Sequence, residues 1–184
     1  MKQQKIVQFM FSSLFIAVWA LSSACIPTSN RIPEEKLHSG DIAPLFSLAD
    51  GNGERHSLDT YFLEKPTLLV FFSADCPPCR MELKRLSQIR NYQRIQGNRG
   101  LSDFNVLLVT KSSPSEVFQM EKEIGKVNFI VLYDTEQNVM RDYGIFAFPY
   151  NFLIGRDGRI ILVLLGYYED MIERIQKTIS SAGL

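Results

Sequence analysis

The stretch Thr67-Leu-Leu-Val-Phe-Phe-Ser-Ala-Asp-Cys76-Pro77-Pro78-Cys79-Arg-Met-Glu82-Leu83 decides how the rest of the chain is read. Its first half is continuously apolar, which predicts a strand covered on both faces. Its second half opens a segment in which Leu83, Leu86, Ile89 and Tyr92 recur at helical spacing. Cys76 and Cys79 therefore straddle a strand-to-helix junction. A CxxC pair has three readings: half of a zinc site, a structural disulfide or a redox pair. A structural zinc takes four ligands and a catalytic one three. The remaining candidates, His38 and His56, lack ligand spacing to the cysteines. A disulfide closing so short a loop constrains the unfolded chain little. A helix N-terminus, by contrast, supplies free amide donors and partial positive charge that stabilise a thiolate. Position favours a nucleophilic cysteine.

Outward from this centre the pattern alternates between strands and helices. Upstream, Leu45-Phe-Ser-Leu48, the turn residues Asp50-Gly-Asn-Gly53 and His56-Ser-Leu58 predict a short hairpin. Downstream, Phe104 to Thr110 reads as a second central strand. Ser113-Pro114-Ser115-Glu116 then opens a helix, with Ser113 as cap, Pro114 in the first turn and Glu116 completing a capping box. Val117, Met120 and Ile124 form its apolar stripe and Gly125 ends it. Phe129 to Tyr133 reads as a strand and Glu136 to Tyr143 as a short helix closed by Gly144. Tyr150–Ile154 and Ile160–Leu165 flank Gly155-Arg-Asp-Gly158, a hairpin signal. Glu169 to Ser181 is amphipathic, with Ile172, Ile175 and Ile179 on one face. The order is βαβ units, then a hairpin and a last helix, which predicts a mixed α/β sheet with an antiparallel edge.

The chain has 184 residues, 46% hydrophobic and 22% charged, the proportions of a globular protein with a real core. Its formal charge of +0, without a long basic run, gives no footing for nucleic acid. Residues 1–24 carry Lys2 and Lys5, then an apolar run from Ile6 to Leu21 and the small residues Ser22-Ser23-Ala24, the layout of a secretory signal. Leu21-Ser-Ser-Ala-Cys25 resembles the bacterial lipobox, with Ser22 where an aliphatic residue is usual. Cys25 is accordingly expected to be lipidated, against the alternatives of an incidental cysteine or an uncleaved anchor. That leaves Cys76 and Cys79 as one pair in an oxidising compartment. Residues 25–40, polar and with two prolines, read as a tether, and 41–184 as the domain.

The residues around the cysteines resemble the TlpA/ResA-type branch of the thioredoxin superfamily. Three further stretches carry the likeness: Gly40-Asp-Ile-Ala-Pro-Leu-Phe-Ser-Leu48, the run from Asp134 through Tyr143-Gly-Ile to Phe148-Pro149, and Phe152-Leu-Ile-Gly-Arg-Asp-Gly158. The resemblance implies a thioredoxin-like fold, a mixed sheet flanked by helices, with an N-terminal β-hairpin extension. It implies that Cys76 attacks a disulfide, that Cys79 resolves the mixed disulfide, and that Glu82 relays the Cys79 proton. It implies a cis-Pro149 against the CxxC, with Phe148 and Pro77 touching substrate and no bound cofactor or metal. The partners it implies are exported proteins with disulfides and a membrane electron donor, at the extracytoplasmic face of a bacterial envelope. Direction is expected to be reducing or isomerising. A thiol peroxidase is the alternative enzyme, although no Thr-x-x-Cys occurs. A metal- or partner-binding module is the non-enzymatic alternative.

Three positions depart from the family pattern. Asp75 stands where tryptophan is usual, and a carboxylate there opposes thiolate formation unless water screens it. Tyr150 follows Pro149 in place of threonine. Val70 occupies the place where some thioredoxins keep a buried acid, which leaves proton transfer to Glu82 or water.

Overall fold

The computed structural model describes residues 36–96 and 103–183. The signal segment, Cys25 and residues 26–35 of the expected tether lie outside the described residues, as does the side chain of Tyr92. The central sheet has five strands in the order β5-β4-β3-β6-β7. They are β3 (Thr67–Phe72), β4 (Asn105–Thr110), β5 (Ile130–Tyr133), β6 (Tyr150–Ile154) and β7 (Ile160–Leu165). The β3–β4 and β4–β5 pairs are parallel; the β3–β6 and β6–β7 pairs are antiparallel. The expected N-terminal hairpin is present as β1 (Ser47–Ala49) and β2 (Arg55–Ser57). An isolated bridge between Asp50 and Leu132 ties it to the main sheet.

Strand alternation divides the core in two. Leu68, Val70 and Phe72 of β3 face one side, where they meet Cys79, Leu83 and Leu86 of α2 (Pro77–Gln96). Val117 and Met120 of α3 (Pro114–Ile124) and Met171, Ile175 and Ile179 of α5 (Met171–Ala182) complete that layer. Leu69 and Phe71 face the other side, against Leu58 and Phe62 of α1 (Leu58–Glu64) and Val139, Met140 and Tyr143 of α4 (Asn138–Tyr143). A strand buried on both faces needs apolar residues at every position, and β3 has them from Leu68 to Phe72. Each such side chain contributes roughly 1.5–3 kcal/mol on burial. Tyr143 anchors the second layer, with its ring 5.1 Å from Phe71 and 5.2 Å from Phe152 and its hydroxyl donating to the Pro44 carbonyl at 2.9 Å.

Local chemistry sets the element ends. Ser113 caps α3 with both arms of the capping box and Pro114 in the first turn, as the sequence predicts. Such a cap contributes about 1 kcal/mol. Two differences appear. The sequence does not predict the helix α1: Leu58, expected to continue the hairpin strand, instead starts a helix whose fully buried residues are the pair Leu58 and Phe62. One i, i+4 pair is too short a pattern to declare a helix. The helix expected from Glu136 begins at Asn138, because Gln137 holds a left-handed conformation with φ 57°. Gly158 closes the β6–β7 hairpin at φ +77°, and a Cβ there would meet the Phe62 ring at 3.3 Å. Residues 36–40 already contact the domain, through Gly40 N–H to the Ile160 carbonyl at 2.7 Å and the Ser39 hydroxyl to the Ile161 carbonyl at 3.2 Å.

Candidate redox site

The site forms where β3 ends and α2 begins. Cys76 and Cys79 are joined by a disulfide, with their Cα atoms 5.3 Å apart. Cys76 is half-buried, one residue ahead of the helix, and Cys79 is fully buried in its first turn. Pro77 and Pro78 have no N–H, so the first amide that α2 offers is that of Cys79. It donates to Cys76 Sγ at 3.3 Å. The helix therefore aims its N-terminal partial charge at the more accessible sulfur, which suits that sulfur to carry a thiolate.

The loop before Cys76 is pinned by bonds that involve neither sulfur. Ala74 N–H donates to Ser112 Oγ at 3.0 Å, and Ser112 N–H to Thr110 Oγ1 at 3.0 Å. Cys76 N–H donates to the Ser73 carbonyl at 3.1 Å. Arg80 Nε donates to the Ala74 carbonyl at 2.8 Å, while its Nη1 pairs with Glu123 at 2.5 Å and ties α2 to α3.

Asp75 is exposed, and its carboxylate accepts from the Ser73 hydroxyl. That bond holds Asp75 below the usual carboxylate range, helped by the charges of Lys111 and Arg80. Its negative charge is thus permanent near neutrality but offset by two cations and open to water. Replacing Asp75 with Asn is expected to lower the Cys76 pKa in the reduced protein by less than about one unit, since exposed charges interact weakly. Iodoacetamide rates against pH measure this. A larger fall would mean that repulsion from Asp75 dominates the thiolate.

Glu82 lies one turn beyond Cys79 and is fully buried. Burial pushes its pKa up to about 8, and the Asn151 amide, which donates to Glu82 Oε2 at 3.4 Å, opposes that rise. At pH 7 Glu82 is mostly a neutral acid placed behind the buried sulfur. Glu82 Oε1 and Asn151 Oδ1 are both buried without a hydrogen-bond partner. Asn151 was missed in the sequence; the available signal was a single amide inside the apolar run Tyr150–Ile154.

The Phe148–Pro149 bond is cis. Tyr150 pairs in register with Phe71, so Pro149 lies at the end of the sheet from which the CxxC loop departs. The Pro149 carbonyl accepts from Gly166 N–H at 2.8 Å. Phe148 is half-buried, packs against both core layers, and has the Lys111 ammonium 5.5 Å from its ring. Tyr150 stacks on Phe152 at 4.9 Å in the layer away from α2, so its bulk does not enter the redox site. Val70 is fully buried beside Asn151 in register. In the β1–β2 hairpin, Asp50, Glu54 and His56 bring possible metal-ligand atoms within 4.8 Å of one another, and neither cysteine belongs to that group. His56 Nδ1 is 2.5 Å from the Tyr61 hydroxyl and Nε2 is 3.6 Å from Asp50.

Residues 39–163 match the AhpC/TSA family. The chain is also 30% identical over 133 residues to the thiol-disulfide oxidoreductase ResA of Bacillus subtilis (strain 168), covering 72% of this chain and 70% of that protein. It is a ResA-type thiol-disulfide oxidoreductase of the AhpC/TSA family. A second ResA, from Geobacillus kaustophilus (strain HTA426), is 25% identical over 90% of both chains. Among solved structures, a putative thiol:disulfide interchange protein DsbE from Chlorobium tepidum superposes with TM-score 0.65 at 24% identity, over 79% of this chain and 98% of that one. The thioredoxin domain of a thiol-disulfide oxidoreductase from Bacteroides vulgatus gives TM-score 0.62 at 23% identity, over 77% and 97%. The ResA-type chain thus has the thioredoxin-like fold its sequence predicted. Among its described residues, no helix is long and apolar enough to cross a membrane.

Proposed function

We propose that this ResA-type oxidoreductase reduces or isomerises disulfides of exported proteins, with Cys76 as attacking and Cys79 as resolving cysteine. The observation that carries this reading is the order of groups along α2: an accessible sulfur facing the first helix amide, a buried sulfur, then a buried acid. Cys76 thiolate attacks one sulfur of the substrate disulfide, and the other substrate sulfur leaves as a thiolate that water protonates. Cys79 then passes its proton to the Glu82 carboxylate and attacks Cys76 Sγ, releasing the second substrate cysteine. Two electrons have moved from the dithiol to the substrate. A membrane electron donor returns two electrons. As the Cys76–Cys79 bond opens, Glu82 gives its proton to the departing Cys79 sulfur and Cys76 is left as the thiolate that began the cycle. The two protons consumed overall are those that water supplies to the two substrate thiolates. The sulfur chemistry itself requires no bound cofactor.

Pro149, without an N–H, and Phe148 form the wall along which an extended substrate segment would lie, and Pro77 adds an exposed apolar contact beside Cys76. Residues 1–24 serve as export signal and Cys25 as lipid attachment site. The stretch from there to residue 35 serves as the tether that holds the domain at the extracytoplasmic face of a bacterial membrane, since residues 36–40 are already bonded to the domain. The test is the midpoint potential of the Cys76–Cys79 pair, read by alkylation and mass shift in defined thiol buffers. A value near that of thioredoxin, roughly −270 mV, is expected for a reductase. A value near roughly −120 mV would assign the opposite direction, insertion of disulfides.

A further inference from the structure

Glu82 is placed in an unusually poor setting for a carboxylate. On its own helix it shares a face with the Cys79 thiol and with Leu86, and the layer it faces contains Val70, Phe72, Leu153 and Leu164. Across the sheet, Asn151 pairs in register with Val70 on one side and Leu164 on the other. Among the described residues no charged side chain of α2, β3, β6 or β7 bears on Glu82; desolvation and the Asn151 hydrogen bond are the two influences. Cys79, once reduced, is the other titratable group on that face.

A buried carboxylate with no charge partner depends on hydrogen-bond donors to exist at all. Asn151 supplies one, with Nδ2 3.4 Å from Glu82 Oε2, while Oε1 has no partner. Donation to one oxygen leaves the other to carry the proton that Cys79 needs. Strand alternation explains the placement: Tyr150 and Phe152 belong to the opposite layer, and Leu153 to the α2 layer, so Asn151 faces α2.

We infer that Asn151 is the positioning residue for Glu82: its amide donor makes the ionised carboxyl attainable when Cys79 gives up its proton, and it directs the mobile proton to Oε1. This deepens the relay reading of Glu82 and rests on it. The chemistry stays balanced, because Asn151 neither gains nor loses a proton; it changes the cost of moving one between Cys79 and Glu82.

The reduced full chain carrying Cys25→Ser, so that Cys76 and Cys79 are its only thiols, forms with Ellman's reagent a mixed disulfide between Cys76 and thionitrobenzoate and releases one thionitrobenzoate. Attack by Cys79 on Cys76 then releases the second, and stopped-flow absorbance follows that step across about pH 5–10. Asn151→Leu is expected to move the inflection of the pH profile about one unit alkaline, slowing release ~10-fold at pH 7 while leaving the alkaline plateau in place. Asn151→Thr keeps a donor at shorter reach with little disturbance of the core and is expected to displace the profile in the same direction by less. Glu82→Gln removes the inflection. If both Asn151 profiles overlie wild type while Glu82→Gln is slow, the role of Asn151 is overturned and the relay stands. If Glu82→Gln also overlies wild type, the relay itself falls, and Asn151 with it.

Discussion

Replacing Cys79 with Ser is expected to turn the protein into a trap: Cys76 attacks a substrate disulfide once and stays attached. The expectation follows from geometry. Cys76 is the half-buried sulfur with a helix amide 3.3 Å away, whereas Cys79 is sealed in the first turn of α2. Without Cys79 nothing in the site can resolve the mixed disulfide, and an external thiol must do so in a bimolecular step. Losing an intramolecular nucleophile of high effective molarity costs ~10³-fold or more in turnover. Cys76→Ser gives the complementary result, no turnover and no mixed disulfide, because the buried Cys79 cannot reach a protein substrate. Non-reducing electrophoresis with mass spectrometry separates the two outcomes. A mixed disulfide accumulating on Cys79 in the Cys76→Ser protein would reverse the assignment.

The second large effect belongs to Glu82. Its burial without a charge partner raises its pKa to about 8, against 4.5 for the free side chain. The folded state thus holds a proton that the unfolded chain has released across that interval. The associated stability is complete below about pH 4.5 and is lost as pH rises through 8. Within the window the loss has a slope of about 1.4 kcal/mol per pH unit. Glu82→Gln, which keeps the shape but cannot ionise, removes the slope. The oxidised variant is expected to match wild type near pH 5 and to unfold at a clearly higher temperature near pH 9. The same variant is expected to lose about 10²-fold in turnover at neutral pH, the usual contribution of a positioned proton donor. Thermal unfolding at several pH values and a turnover assay read the two together. Equal Tm at pH 9 would show that Glu82 is not held as a neutral acid.

Much of this arrangement was legible in the residues. An apolar run ending in CxxC, followed by a 3.6-residue pattern, specifies β3 and α2, and Ser113-Pro114-Ser115-Glu116 specifies the start of α3, because those signals are local. The fate of Glu82 was not legible in that way. A glutamate at position 82 of an isolated helix is an ordinary solvated carboxylate; what buries it is the sheet beneath, in which β3 is joined by β6 and β7 from far along the chain. Asn151 shows the same limit from the other side. One amide in an apolar strand looks like an imperfection until the alternation of β6 turns it toward α2. Tyr150, which departs from the family pattern, packs its ring in the opposite layer for the same geometric reason. The helix α1 escaped notice because a seven-residue helix displays a single turn of pattern.

The pins on the loop ahead of Cys76 run from Ala74 to Ser112, from Ser112 to Thr110, and from Arg80 to Ala74. All of them join backbone or side chains of neighbouring elements, and the disulfide is not among them. None of these bonds depends on the sulfurs, so none has to break when that bond opens. These bonds are available in either redox state, so the segment has anchors of its own whose order does not have to be restored each time the couple turns over.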